Sequence, residues 1–344
     1  MKLLLFTIAI ITLAAPARGF DHSIEAGGWN AATPVYEVLR QLGDEMPAHY
    51  IGSPDERDIK KGEEIVRYGS TVGPDNRRAP RQSRYFVCTS CHNLRREDPD
   101  LRVGDPEARL DYVMANGLGF LPATTFYGLV NRRSWFNDDY VKKYGTLAAA
   151  ANKDLVKAIQ LCATECSMGR ELNDWELRAV LAYFRSLELK LGDLNLTDAD
   201  WSELRRGARQ PERHRELIAW LKGFYLKASP ATFASPPEKI PPPPEGPAAY
   251  QATIQRGKAI YELSCRNCHK PGGVTSFTLA DSPVTYRLLN DHTTFSAHFS
   301  IYNAIRNGIK ASPGKGYMPN FTLERLSDSQ IEDLRAFVHH QATR

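Results

Sequence analysis

What the chain lacks narrows it as much as what it contains. Across 344 residues the formal net charge is only +4, and no block of like charge stands out. This argues against nucleic acid as a partner and against an anionic membrane surface, since both draw on clustered basic residues. No run shows the two-residue alternation of a half-buried strand, so a mostly α fold is expected. Beyond the N-terminus no apolar stretch is long enough to cross a bilayer. Cysteine is scarce at six residues and methionine at five, so the position of each carries weight. With 42% hydrophobic residues the chain can still build packed cores, and wholesale disorder is not expected.

The first residues point to a compartment. Lys2 is followed by an apolar run from Leu3 to Ala15, then by Pro16, Ala17, Arg18 and Gly19. A basic start, a short apolar run and small residues near its end read as a cleaved secretory signal over residues 1–19. The mature chain is therefore expected in the periplasm or an equivalent secreted location. There, free thiols tend to oxidise unless chemistry consumes them.

Four of the cysteines have such a fate. Cys88-Thr-Ser-Cys91-His92 and Cys265-Arg-Asn-Cys268-His269 both match the C-x-x-C-H pattern of covalent haem attachment. Two thiols three residues apart reach the two vinyl groups of a porphyrin, and the adjacent histidine projects to the iron. A structural zinc site would want thiolates kept reduced, and a thioredoxin-like pair would want a βαβ setting that is absent. Two covalently bound haem c groups are expected, and with them a redox partner protein, another cytochrome or a membrane oxidase.

The chain reads as two similar halves. Residues 228–250 are dense in proline and without periodicity, the mark of an extended interdomain linker. Gly257-Lys-Ala-Ile-Tyr opens the second half as Gly62-Glu-Glu-Ile-Val opens the first. Ser327-Asp-Ser-Gln330 and Asn173-Asp-Trp-Glu176 each cap an amphipathic helix that closes a half. The expected organisation is a signal peptide at 1–19 and an N-terminal extension with little pattern at 20–60. A first class I cytochrome c-like domain with extra helical segments follows at 61–227, including a basic loop at 69–84 and a helical hairpin at 197–227. The linker then leads to a second such domain at 251–344.

The distal ligands follow from the same duplication. Met318, in Gly316-Tyr-Met-Pro-Asn-Phe321 ahead of the last helix, is the candidate opposite His269. Thioether ligation beside histidine raises the iron potential. His292 and His298 are poorer candidates, being far from that loop. In the first half the corresponding window is Ala158-Ile-Gln-Leu-Cys162-Ala-Thr-Glu-Cys166-Ser-Met168-Gly-Arg. Met168 fits by analogy. Cys162 and Cys166 are the cysteines with no haem to hold, and at i and i+4 of a helix they share a face.

Ile159-Gln-Leu-Cys162, then Gly169, then the capped Trp175-Glu-Leu-x-Ala-x-Leu-Ala-Tyr183 helix resemble the thiosulfate dehydrogenases. These are dihaem cytochromes in which the cysteine matching Cys162 is the thiolate ligand of the active-site haem. Sox-type sulfur-oxidising cytochromes use cysteine in the same way. The resemblance implies a catalytic Cys162, a small sulfur oxyanion substrate at the first haem, and export of electrons through the second. Arg132, Arg133, Lys142 and Lys143 are the candidates for an anion pocket, by charge alone. Other readings are a pure electron-transfer cytochrome and a dihaem peroxidase.

Overall fold

The computed structural model describes residues 28–236, 247–275, 277–294, 300–311 and 316–344. The expected signal segment, His298 and part of the Pro-rich linker lie outside the described residues. The fold is mostly α: among the described residues there are helices, turns and three isolated β-bridges, Pro34–Lys190, Val72–Arg78 and Ile309–Met318.

Two class I cytochrome c-like units repeat one construction. In the first, the helix Glu56–Tyr68 packs across Asp174–Ser186; in the second, Pro247–Ile260 packs across Asp328–Ala342. Both crossings depend on a glycine. A Cβ on Gly62 would lie 2.0 Å from the Ala179 carbonyl oxygen, and one on Gly257 would lie 1.9 Å from that of Asp333. Any larger residue would push the helices apart and open the core behind them. Tyr183 and Phe337 close the same two crossings one helical turn later. The helix starts are capped as their sequences suggest. Ser327 and Gln330 exchange side-chain-to-backbone hydrogen bonds of 3.0 and 3.1 Å, and the Asn173 amide donates to Glu176 at 2.9 Å. Glu176 is buried, with the Arg170 guanidinium bridging both its oxygens.

The first core is larger than the two crossing helices. Val35, Tyr36, Val38 and Leu39 of the helix Val35–Gln41 are buried in it. The N-terminal extension, expected to have little pattern, thus supplies an amphipathic helix started by Pro34. The hairpin is present as Asp198–Ala208 and His214–Leu221, joined through Pro211–Arg213, and it sends Leu204, Ala208, Leu217 and Leu221 into the same core.

The second core is built by both halves of the chain. Leu110 and Val113 of the helix Pro106–Asn116, with Leu118 and Phe120, pack among Ile254, Ile260, Tyr261, Leu334 and Phe337. Residues between His92 and Cys162 therefore complete the second core. The start of the linker is not a free spacer either. Asn137 donates to Ala231 at 2.6 Å, and the Thr232 amide donates to Glu324 at 2.8 Å, so residues 228–236 lie strapped between the units.

A buried ionic knot sits at the junction. Arg325 holds Glu97 at 2.6 Å and donates twice to the Leu121 carbonyl, at 2.8 and 3.2 Å. Arg109, fully buried, approaches Glu97 at 3.8 Å, lies 3.9 Å over the Phe120 ring and donates to the Arg325 carbonyl. Asn93 and the Thr125 amide complete the carboxylate, each at 2.8 Å. Burial would push Glu97 up, but Arg325 and Arg109 outweigh it and hold its carboxyl down at about 2. Removing one partner of such a knot leaves a buried charge, which costs about 3–5 kcal/mol. Arg325→Met is expected to lose that much stability in denaturant titration of the haem-loaded protein. A loss under about 1 kcal/mol, the range of exposed pairs, would show that the knot does not hold the units together.

Candidate functional site

The two C-x-x-C-H motifs are held alike. Cys88–Ser90 forms a short 3-10 turn, and Cys265 ends one wide turn that runs into Arg266–His269. His92 Nδ1 lies 2.6 Å from the Thr124 carbonyl, and His269 Nδ1 lies 2.8 Å from that of Phe277. A carbonyl at Nδ1 fixes the proton there and leaves Nε2 as a lone-pair donor, as a metal-bound histidine needs. Burial lowers the His92 pKa to about 4 despite that bond, so the ring is neutral. It stacks on Phe126 at 4.2 Å, and Phe126 in turn rests on Phe184. Burial raises the thiols of Cys88 to about 11 and Cys265 to about 12. All four motif cysteines nonetheless keep some accessible surface. Groups that are deep yet accessible line an internal space, and this donor set fits haem c.

The motifs also touch each other. Asn267 Nδ2 donates to the Ser90 carbonyl at 3.2 Å, and the Cys268 thiol lies 3.9 Å from the same oxygen. The middle residues of one motif thus rest against those of the other, across the junction between the halves.

Cys162 follows the helix Leu155–Leu161 and opens one π-helical turn, Cys162–Cys166. The Ser167 amide closes it by donating to the Cys162 carbonyl at 2.8 Å, and the Gly169 amide donates to Ala163 at 3.0 Å. Single π-turns of this sort recur where a side chain must be re-aimed. Met168 is held at φ 53°, a left-handed cap that is uncommon outside glycine. The whole segment is clamped by the residues leading into the first motif. Gln82 donates to the Ala163 and Arg170 carbonyls at 2.7 and 3.0 Å and accepts from Ser167 at 2.9 Å. Ser83 donates to the Ser167 carbonyl at 2.5 Å. A Cβ on Gly169 would lie 2.2 Å from the Gln82 carbonyl oxygen, so only glycine permits this approach.

The clamp sets the two thiols in the neighbourhood of Tyr140 and Tyr317. The neighbouring Cys162 thiol first, and desolvation next, push the Cys166 thiol well up, although its side chain keeps exposed surface. Burial raises the Tyr140 and Tyr317 pKa values, and the thiols of Cys166 and Cys162 add to both. Cys91 of the first motif stands near Cys166 and Cys268. Sequence reasoning missed Tyr140, Tyr317 and Gln82; the Tyr85-Phe86 pair ahead of Cys88 was the available signal for an aromatic wall.

The four basic candidates separate cleanly. Arg133 is tied to Asp44 at 3.2 Å and to the Glu45 carbonyl at 3.0 Å. Lys142 is exposed and paired with Asp139 at 2.9 Å, and Lys143 lies 4.3 Å over the Phe233 ring. Arg132 differs. Among the described residues no hydrogen bond or ion pair reaches its guanidinium, and it stands close enough to His92 to lower the pKa of that ring. Burial lowers the Arg132 pKa, opposed by Asp98 and Glu97.

At the second motif the Met318 backbone is pinned to Ile309 by hydrogen bonds of 3.0 and 2.9 Å, beside Gly308 at φ 68°. A Cβ on Gly308 would lie 2.4 Å from the Met318 carbonyl oxygen. His292 is exposed at the end of its helix.

Residues 252–338, which include Cys265, Cys268, His269 and Met318, match the family described as cytochrome c oxidase, cbb3-type, subunit III. Cytochrome c6 of Thermosynechococcus vestitus is 31% identical over 98 residues, which cover 28% of this chain and 79% of that protein. Cytochrome c6 of Thermostichus vulcanus gives the same figures. No solved structure matches. The chain belongs to the c-type cytochromes. It accordingly binds haem c covalently and transfers electrons. Among the described residues no helix is long and apolar enough to cross a membrane.

Gln82→Ala would delete three side-chain hydrogen bonds of the clamp, about 0.5–1.5 kcal/mol each. Amide exchange across residues 160–170 is then expected to accelerate, while the helix Asp174–Ser186 keeps its protection. Unchanged exchange in 160–170 would mean that Gln82 does not hold the thiol segment.

Proposed function

We propose that this cytochrome carries two haems c, one on Cys88, Cys91 and His92 and one on Cys265, Cys268 and His269. Met318 is the distal ligand of the second and Cys162 that of the first. The first site oxidises thiosulfate to tetrathionate, or runs the reverse, and the second passes electrons to a partner protein outside the cytoplasm. The observation that carries this reading is the Cys162–Cys166 segment clamped by Gln82 and Ser83 just ahead of the first motif, with Arg132 near His92 and, among the described residues, no hydrogen bond or ion pair to its guanidinium.

When bound, haem c supplies a one-electron acceptor at each site. Two thiosulfates join through a new sulfur–sulfur bond and release two electrons, one for each site, with no proton to place. The residues need only bind, orient and exclude water. Arg132 is suited to a sulfonate-like oxyanion, because a guanidinium offers several donors in a fixed fork. Tyr140 and Tyr317 wall the site. The contact between Ser90 and Asn267 gives the electron a short route from one motif to the other.

The Ser90–Asn267 contact would serve a relay without a substrate equally well, and this makes the pure electron carrier the second reading. Mixing the holoprotein with thiosulfate and ferricyanide separates the two. Turnover in the wild type and its loss in Cys162→Gly are expected, with haem content unchanged. No turnover in a protein whose haems are present and reducible would leave the carrier.

Arg132→Gln is expected to raise KM for thiosulfate by roughly 10–100-fold, from about 1.5–3 kcal/mol for a hydrogen bond to a charged group. A pH dependence follows from Asp98, whose carboxyl is raised to about 6 by burial first and Glu97 next, against Arg325, Arg109 and Arg132. Below that pH Asp98 is neutral and the pocket is more positive, so KM should fall as pH drops through about 6. A KM that is flat there, or that rises, would remove Arg132 and Asp98 from the substrate site.

A further inference from the structure

The loop that carries Met318 is held partly from outside its own unit. Within the second unit its ties are backbone ones. Met318 and Ile309 exchange hydrogen bonds of 3.0 and 2.9 Å, and the Phe321 amide donates to the Ile305 carbonyl at 2.8 Å. The two residues just before Met318 lie instead against Phe86 of the first unit. A Cβ on Gly316 would come within 2.9 Å of the Phe86 ring, so the loop backbone itself rests on that ring. Tyr317 meets the same ring edge-on, with centroids 5.7 Å apart. Beyond Met318, Asn320 accepts from the Tyr144 hydroxyl at 3.3 Å. Phe86 is buried, at 4% exposure, and its own backbone is anchored. Its amide donates to Ser83 Oγ at 3.3 Å, and that hydroxyl donates to the Ser167 carbonyl at 2.5 Å. Ser83 thus fixes Phe86 to the segment that carries Cys162 and Cys166.

We infer that Phe86 is a positioning residue of the second site, supplied by the first unit, and that its ring braces Gly316 and Tyr317 so that the Met318 sulfur stays on the iron. This rests on Met318 as the distal ligand proposed above. A neutral thioether holds ferric iron weakly, so its place depends on the groups that orient it. The ligand belongs to one unit and part of the packing that aims it belongs to the other. Thioether ligation raises the potential of a haem, and the potential of the second site is therefore set in part across the junction. Through Ser83, the distal segments of the two sites share one support.

The test is an alkaline titration of the ferric, full-length holoprotein, with haem content checked on each sample. As pH rises, a deprotonated donor, hydroxide or a lysine amine, replaces the thioether with release of one proton, and the far-red sulfur-to-iron charge-transfer band disappears. In Phe86→Ala the midpoint of that loss is expected about one pH unit lower, the tenfold that corresponds to about 1.4 kcal/mol of lost aromatic packing. The second-site potential should fall with it while the first stays in place. Phe86→Leu, which keeps apolar bulk, should recover part of both shifts. Gly316→Ala, which pushes the loop off the ring from the other unit, should act in the same direction, and it decides the matter if Phe86→Ala loads haem poorly. Midpoint and second-site potential unmoved in Phe86→Ala and Gly316→Ala would overturn the inference. So would potential shifts confined to the first site or equal in both, which would mark a general disturbance. A wild type with no such band to lose would instead remove Met318 as the ligand, and the inference with it.

Discussion

The structure turns on a charge that cannot be left alone. Glu97 is buried without solvent, and Arg325, from the far side of the linker, is the partner that makes its burial tolerable. Because an uncompensated buried carboxylate is so costly, the two halves are held in one arrangement. Arg325 stands two residues before the capped closing helix of the second unit, and Glu97 five residues after His92. The knot therefore fixes the relation between the two attachment motifs and not merely between two surfaces. The exchange of Leu110, Val113, Leu118 and Phe120 into the second core seals the same junction with apolar packing.

From that constraint the site geometry follows. With the halves fixed, Ser90 meets Asn267 and the motifs abut. The Met318 loop lies across Phe86, with Tyr317 edge-on to that ring and the Cys162–Cys166 thiols in the same neighbourhood. The clamp from Gln82 and Ser83 delivers those thiols from the other side, through a π-turn and a left-handed methionine cap. Neither unit would make this pocket by itself.

Much of this was legible in the sequence. The motifs pointed to haem attachment because C-x-x-C-H spacing serves few other purposes. The paired helices declared themselves through capping boxes, apolar periodicity and the echo of Gly62 in Gly257. The Cys162 segment was visible because two cysteines had no other employment. The long-range parts were not legible. Nothing local marks Arg325 as the partner of Glu97, 228 residues away, or assigns Leu110 to the second core. The four basic candidates looked equal by charge, and only their neighbours distinguish Arg132 from Arg133, Lys142 and Lys143. Residues 228–236 have the composition of a spacer, yet Ala231 and Thr232 are hydrogen-bonded to the folded units. The linear pattern reports what each segment prefers, whereas the site depends on which segments meet.

The central claim is that two haems of unlike ligation stand side by side across a fixed junction. Electron paramagnetic resonance of the frozen, fully oxidised holoprotein tests it most directly. Two low-spin ferric signals are predicted, one of the histidine–thiolate type and one of the histidine–methionine type, each broadened by the other and each sharpening when its neighbour is reduced. A single histidine–methionine signal, or two signals that ignore each other's oxidation state, would contradict the account.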